Sequence, residues 1–483
     1  MLQRMLIFAF AVSACLLDLR TITAAEPPTR DEVTKALAHA AKYFHDNVAR
    51  HCGYGYYVDA DLKQRWGEGR FDNDTIIVQP PGTPSVGMAY LKAHTATQNK
   101  EQLKYALAAA GSLVAGQLES GGWTQVIHFA KPDSSQKVVQ RLGKYRRPLA
   151  GQPVGAWNGS SLDDNQTQAA LVFLMKLDSQ LQKSDRAIHE AAEFGLQQLC
   201  KAQFASGGFP QVWTKPAPAA VEGQLPIIAT YPADDWRTAR VKNYWDYPTL
   251  NDGLAGTVAD VLIAAHETYD DEASLAALRK LGDFLVRAQM PEPQPAWCQQ
   301  YNDQMQPMWA RKFEPPAITG SESQDAIETL LKIARHTKDK RYLAPIPRAI
   351  AYLRKSELPD GKLARFYELK TNKPLYMDTK YQLTYSDSDV PTHYGWKVPS
   401  RLDKIEKAYK SFGEEAVSKP KKVDPTRVRQ ILADLDDQGR WVSTYHGEKL
   451  TGQPKFAESQ KYLSSEVFVK SVQNLSEYLE QLE

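Results

Sequence analysis

The chain has 483 residues, 42% hydrophobic and 24% charged, with a formal net charge of +2. That balance suits a soluble globular protein with enough apolar material for a large core. It excludes a bulk field that would hold nucleic acid or a membrane surface, so a polyanion must be gripped by a local cluster.

In chain order, Arg4 precedes an apolar run from Met5 to Leu17, and Thr23-Ala24-Ala25 offers a small-residue cleavage site before Glu26. Residues 1–25 therefore read as a signal peptide, and the protein as exported to the periplasm or the exterior. Lipid anchoring at Cys15 is the rival reading, and the apolar Leu16-Leu17 that follows argues against it. No later run is long enough to span a bilayer. Three cysteines remain, Cys52, Cys200 and Cys298, without metal-ligand spacing. Each is expected to be buried and structural.

The mature chain reads as mostly helix. Asp31 is placed to cap a helix with Val33, Leu37, Ala40, Ala41 and Phe44 on one face. Gly53 to Trp66 reads as irregular. Pro80-Pro81-Gly82-Thr83-Pro84 opens a helix through Met88 and Leu91, and another runs from Lys100 to Leu118. Ile127 to Gly159 is a basic loop. Helical periods resume at Asp163 and Ser184, break at Thr214 to Pro248, resume after Asn251-Asp252, and break again at Pro291 to Gly320. Ser321 opens the next pair, which ends with Pro347 to Leu353. Gly361 to Lys397 reads as loop with strand-like fragments, and residues 401–483 as a charged helical extension packed around the outside.

A repeat runs through this pattern. Gln117 precedes Gly121-Gly122-Trp123, Gln203 precedes Gly207-Gly208-Phe209, and Gln289 precedes Trp297. The aromatic positions 123, 209 and 297 lie 86 and 88 residues apart. Helix pairs stacked at that period bury a continuous core and gather their loops at one end. The expected fold is all-α: an (α/α)3 toroid, an α-α barrel over residues 26–400 whose long loops form an open groove.

Three groups stand out on that loop face. Asp163-Asp164-Asn165 and Asn251-Asp252 sit at helix starts, where one side chain would suffice to cap. Oxygen donors repeated one period apart also suit Ca²⁺. Trp123, Trp297 and Trp309 fit either the core or stacking on sugar faces. Arg311 and Arg365 stand in similar settings, each three residues before a glutamate, Glu314 and Glu368. They fit either surface ion pairs or clamps on a substrate carboxylate.

These residues carry a resemblance. The order of Gly121-Gly122-Trp123 with Gln125, Asp164-Asn165, Gly207-Gly208-Phe209-Pro210-Gln211 and Thr249-Leu250-Asn251-Asp252 resembles that of the polysaccharide lyase family ten pectate lyases, which carry the pectic acid lyase domain. So do Ala310-Arg311 leading through Phe313-Glu314-Pro315-Pro316 to Gly320-Ser321-Glu322-Ser323, and Ala364-Arg365-Phe366-Tyr367-Glu368. The resemblance implies an (α/α)3 toroid that cleaves polygalacturonate by β-elimination with Ca²⁺. It implies Asp164, Asn165 and Asp252 as metal and substrate-carboxylate ligands, Arg311 as the catalytic residue and Arg365 as a substrate-binding arginine. Trp123 and Trp309 are expected to contact substrate, and Lys380 to supply charge where the family tends to place an arginine. Thr124 stands in place of the usual proline. The protein is expected to act as a monomer on an acidic polysaccharide, with no nucleic acid and no membrane span.

Two other classes fit parts of the pattern. A hydrolase of the same barrel type would use Asp164 and Asp252 as a carboxylate pair. A non-catalytic acidic-glycan-binding protein would keep the tryptophans and need neither Arg311 nor metal.

Overall fold

A computed structural model describes residues 26–132, 141–219, 227–233, 237, 240–413 and 422–482. Residues 1–25, read above as a signal peptide, lie outside the described residues together with Cys15. The helices are α1 (Arg30–Tyr43), α2 (Thr83–Thr97), α3 (Lys100–Ala115), α4 (Gln166–Gln180), α5 (Arg186–Ala202) and α6 (Leu254–Tyr269). They continue as α7 (Glu272–Ala288), α8 (Gly320–Thr337), α9 (Ile346–Lys355), α10 (Leu402–Lys410), α11 (Pro425–Ala433) and α12 (Ser465–Gln481).

Helix pairs α2/α3, α4/α5 and α6/α7 are the three repeat hairpins, and α8/α9 continues the series. Helices α2, α4, α6 and α8 pack on one another in sequence as an inner row, while α3, α5 and α7 form an outer row. The sequence sets this sorting. Outer helices α5 and α7 bury one face each, through Ile188, Leu196 and Leu199 and through Leu278, Leu281 and Leu285. Inner helix α6 buries Val258, Ala259, Val261, Leu262, Ala264 and Ala265, which leaves it apolar on most sides, as a helix with neighbours all round must be.

The repeat glutamines close the outer row. Gln117 donates its amide to the carbonyls of Gly121 and Ala191, both at 2.8 Å. Gln203 does the same to Gly207 and Ala277 at 2.9 Å, and Gln289 to Pro295 and Pro345 at 2.9 Å. Each side chain therefore ties its own turn to the next element along the row. Gly207 has a left-handed φ of +92°, and a Cβ there would come within 2.1 Å of the Lys280 carbonyl.

Helix α12 packs along α2, and Phe468, Val472, Leu475 and Leu479 share one hydrophobic cluster with the inner helices. Strand Lys461–Ser464 pairs with Tyr57–Asp59 in a five-stranded sheet. Both chain ends thus build the same core. Gly53 to Trp66, read as irregular, supplies two strands of that sheet. The cap of α1 is Thr29 rather than Asp31: its hydroxyl accepts the Glu32 N–H in a reciprocal capping box. Cys298 is buried and Cys200 half-buried, but Cys52 is exposed, so burial fails as its explanation; all three are free thiols.

Candidate active site

Two loops end on inner helices in the same unusual way. Asp164 and Asn165 precede α4 with φ of 43° and 62°, and Asp252 and Gly253 precede α6 with φ of 50° and 69°. Left-handed conformations cost a non-glycine residue energy, with Asp and Asn the least penalised. Asn165 and Gly253 take the N-cap positions, and neither helix has a side-chain cap hydrogen bond. The aspartates are thereby turned away from the helix amides.

They turn toward one another. Asp163, Asp164 and Asp252 each place an oxygen within 4.8 Å of the others. Gln211 Nε2 donates to Asp163 at 2.7 Å, Gln79 Nε2 to Asp164 at 3.0 Å, and Asn251 Nδ2 to Asp252 at 2.6 Å. Desolvation and the Asp252 charge push Asp163 up to about 6. Desolvation, then the Asp163 and Asp252 charges, push Asp164 up to about 7. Asp252 is raised by desolvation, against the pull of Arg365 and Arg311. Three crowded hard-oxygen donors could hold a hard cation such as Ca²⁺, which would relieve the repulsion.

Opposite them stand two arginines. Arg311 forks onto buried Glu314, with Nε to Oε2 at 2.8 Å, Nη2 to Oε1 at 2.6 Å and the backbone N–H to Oε2 at 2.9 Å. Desolvation opposes its charge, but Glu314 outweighs this and raises the Arg311 pKa above the ordinary arginine value. The ion pair weighed from sequence is present, and the charge of Arg311 also reaches all three aspartates. Arg365 is 13% exposed and spans Asp252 at 3.7 Å and Glu322 at 3.4 Å, rather than pairing with Glu368. It is aimed by a short sheet: Phe366 pairs with Thr319, and the Gly320 N–H donates to the Arg365 carbonyl at 3.0 Å. Burial drives the Glu322 carboxyl up to about 7, with Arg365 opposing. Tyr394 joins the two arginines. Its hydroxyl donates to Glu314 at 3.0 Å, and its ring lies 5.8 Å from the Arg311 guanidinium and 4.5 Å from that of Arg365.

Asp164, Asp252, Arg311 and Arg365 are therefore brought together, with Asn165 adjoining. Two expectations are corrected, those for Trp123 and Trp309. Trp123 is 0% exposed and donates its indole N–H to the Leu113 carbonyl at 2.8 Å, so it is a core plug with no face for a sugar. Trp309 is 1% exposed, with the Arg240 guanidinium 4.3 Å over its ring. Lys380 is an exposed turn residue whose backbone N–H bonds Asp378 at 2.9 Å, and among the described residues no contact ties its side chain to the site. The half-buried aromatics beside the charges are Tyr244, whose surroundings include Arg311 and Asp163, and Phe313, 5.2 Å from Arg311. Sequence reasoning counted Asp163 among the oxygen donors but left it out of the ligand set, and it missed Glu322 and Tyr394 as site residues. The glutamate at the head of α8 was the signal for Glu322; Tyr394 had none.

The sequence model of the pectic acid lyase family matches residues 149–362. Among solved structures, a variant of a family 10 polysaccharide lyase from Cellvibrio cellulosa in complex with trigalacturonic acid is 18% identical, with a TM-score of 0.46, covering 68% of this chain and 98% of its own. A D-mannose isomerase is 13% identical at a TM-score of 0.46, covering 95% and 100%. Cellobiose 2-epimerase from Bacillus thermoamylovorans B4167 is 13% identical at 0.44, covering 93% and 98%. No curated protein matches the chain. The family match spans Asp163, Asp164, Asp252 and Arg311, leaves Arg365 just beyond its end, and supports a polysaccharide lyase. Residues 149–362 of this chain are thus similar to the pectic acid lyase family.

Proposed function

We propose that this protein is an exported pectate lyase that cleaves polygalacturonate by β-elimination with Ca²⁺. The observation that carries the reading is the pair of left-handed aspartates, Asp164 and Asp252, which decline to cap their helices and meet Asp163 beneath two arginines. Asp163, Asp164 and Asp252, with Asn165 adjoining, would hold the cation. Bound there, Ca²⁺ supplies positive charge for a uronate carboxylate and for the enolate that develops from it.

The chain's own groups supply the rest. Arg365 meets the substrate carboxylate as a planar donor, held in place by Glu322 and Tyr394. Arg311 stands on the same face, its fork fixed by Glu314. Loss of the C5 proton forms the C4–C5 double bond as the C4–oxygen bond breaks, and the departing oxygen takes a proton. Arg311 serves at the proton-abstraction step, as the base or by positioning hydroxide. Glu314 keeps the guanidinium protonated at neutral pH, so turnover is expected to climb toward alkaline pH. Spacing disfavours an inverting hydrolase, whose carboxyls stand roughly 6.5–9.5 Å apart to admit water, while a retaining pair at roughly 5–5.5 Å is decided by the product assay.

The test is incubation with polygalacturonate and Ca²⁺ while following ultraviolet absorbance. Unsaturated products should accumulate. Reducing ends without conjugated absorbance would show a hydrolase instead, and neither signal would show a binding protein. Among the described residues no helix is long and apolar enough to cross a membrane. Export rests on the reading of residues 1–25.

A further inference from the structure

A second cleft, of about 690 Å³, opens beside the active site on the sheet that joins the two chain ends. Lys63, Trp66, Glu68, Arg70, Asp72 and Lys455 line it. It lies outside the family match, on segments 63–73 and 452–455. We propose that this cleft is an additional subsite for an acidic polysaccharide, gripping a uronate unit remote from the bond that is cut. The inference rests on the function proposed above.

Three observations carry it. The first is continuity. Gln79 Nε2 donates both to Glu68 at 3.1 Å and to Asp164 at 3.0 Å, so one amide nitrogen joins a wall of the cleft to the carboxylate cluster. The second is charge. The acids of the cleft already accept internal donors: Glu68 from Gln79, and Asp72 from the Asp74 N–H at 3.0 Å. Exposed Arg70 and Lys455, by contrast, form no ion pair among the described residues. Two cations without ion-pair partners on the lining of one cleft fit an anionic ligand. The third is rigidity. Gly452, at φ +71°, lies so close to the opposing turn that a Cβ would come within 2.4 Å of the Gly67 carbonyl. The loop that bears Lys455 is thereby seated against the hairpin that bears Arg70.

The test compares wild type with Arg70→Gln/Lys455→Gln in native gels containing polygalacturonate and in kinetics on polymer and on trimer. A Lys404→Gln/Lys407→Gln variant, exposed on α10, controls for the loss of two charges. The cleft variant should lose gel retardation, and its KM on polymer should rise about fivefold, the scale of partly exposed ion pairs, with kcat and trimer turnover unchanged. Retardation equal to wild type, an equal loss in the α10 control, or polymer and trimer rates falling together would each overturn the subsite. If wild type forms no unsaturated product, the proposed function fails, and the gels still decide the cleft on their own.

Discussion

Aspartates stand at the heads of both outer and inner helices, and they do opposite things. At the outer helices, Asp185 and Asp271 adopt extended backbone, with φ of −89° and −83°. Asp185 accepts the N–H groups of Ala187 and Ile188 at 3.0 and 3.1 Å, and Asp271 that of Ser274 at 3.0 Å. These are ordinary caps. At the inner helices, Asp164 and Asp252 adopt left-handed backbone and cap nothing. Each such conformation costs on the order of 1–3 kcal/mol, and a cap forgone adds about 1 kcal/mol. The local preference of aspartate is followed where it serves stability and overridden where three carboxylates must converge. The difference separates scaffold from site within one repeat.

Substitutions at matched positions break the comparison most sharply. Asp252→Asn keeps the left-handed backbone accessible but removes a donor charge, and should lower kcat/KM on polygalacturonate by about a hundredfold, as loss of metal-site groups does. Asp271→Asn should leave activity at wild-type levels. Equal activity in both variants would erase the distinction between the two kinds of head.

Arg311→Lys keeps the charge but not the planar fork onto Glu314, and should lose about tenfold to a hundredfold in kcat with a smaller change in KM. Arg365→Lys should act mainly through KM. A near-normal kcat for Arg311→Lys would reduce Arg311 to the partner of Glu314.

The pH response should also divide the two regions. Asp163 and Asp164 are pushed up in the folded chain, to about 6 and about 7. A raised carboxylate pKa means that the folded state binds more protons than the unfolded one between the two values. In chelator, stability should therefore rise as pH falls from about 7 toward 4, and Asp164→Asn should flatten that slope. Unchanged melting across this range would show that the cluster is not crowded. The smallest effect is at the caps: Asp271→Ala should cost about 1 kcal/mol in stability, read by denaturant melting, with turnover unaffected.

Much of this was legible in the chain. The 3.6-residue period and the glutamine repeat place the hairpins, because both follow from local pattern and spacing. The Asp and Asn clusters one repeat apart mark the candidate site because a helix start needs only one cap. What escaped depends on distant pairing. The sheet joining Tyr57–Asp59 to Lys461–Ser464 spans nearly the whole chain, and nothing local announces it. Trp123 reads as a groove aromatic because it follows a glycine turn; only the packed structure shows its ring as the plug of each repeat, matched by Phe209 and Trp297. Tyr394 and Glu322 are ordinary residues until Arg365 is placed against both.

The central claim is that the inner aspartates hold a cation and the outer ones hold a helix. Thermal melting of wild type, Asp252→Asn and Asp271→Asn over a Ca²⁺ titration tests it most directly, since a ligand that binds only the folded state stabilises it in proportion to ln(1 + [L]/Kd). Wild type and Asp271→Asn should gain the same Ca²⁺-dependent rise in Tm, and Asp252→Asn little or none. A rise in Asp252→Asn equal to that of wild type would contradict the account.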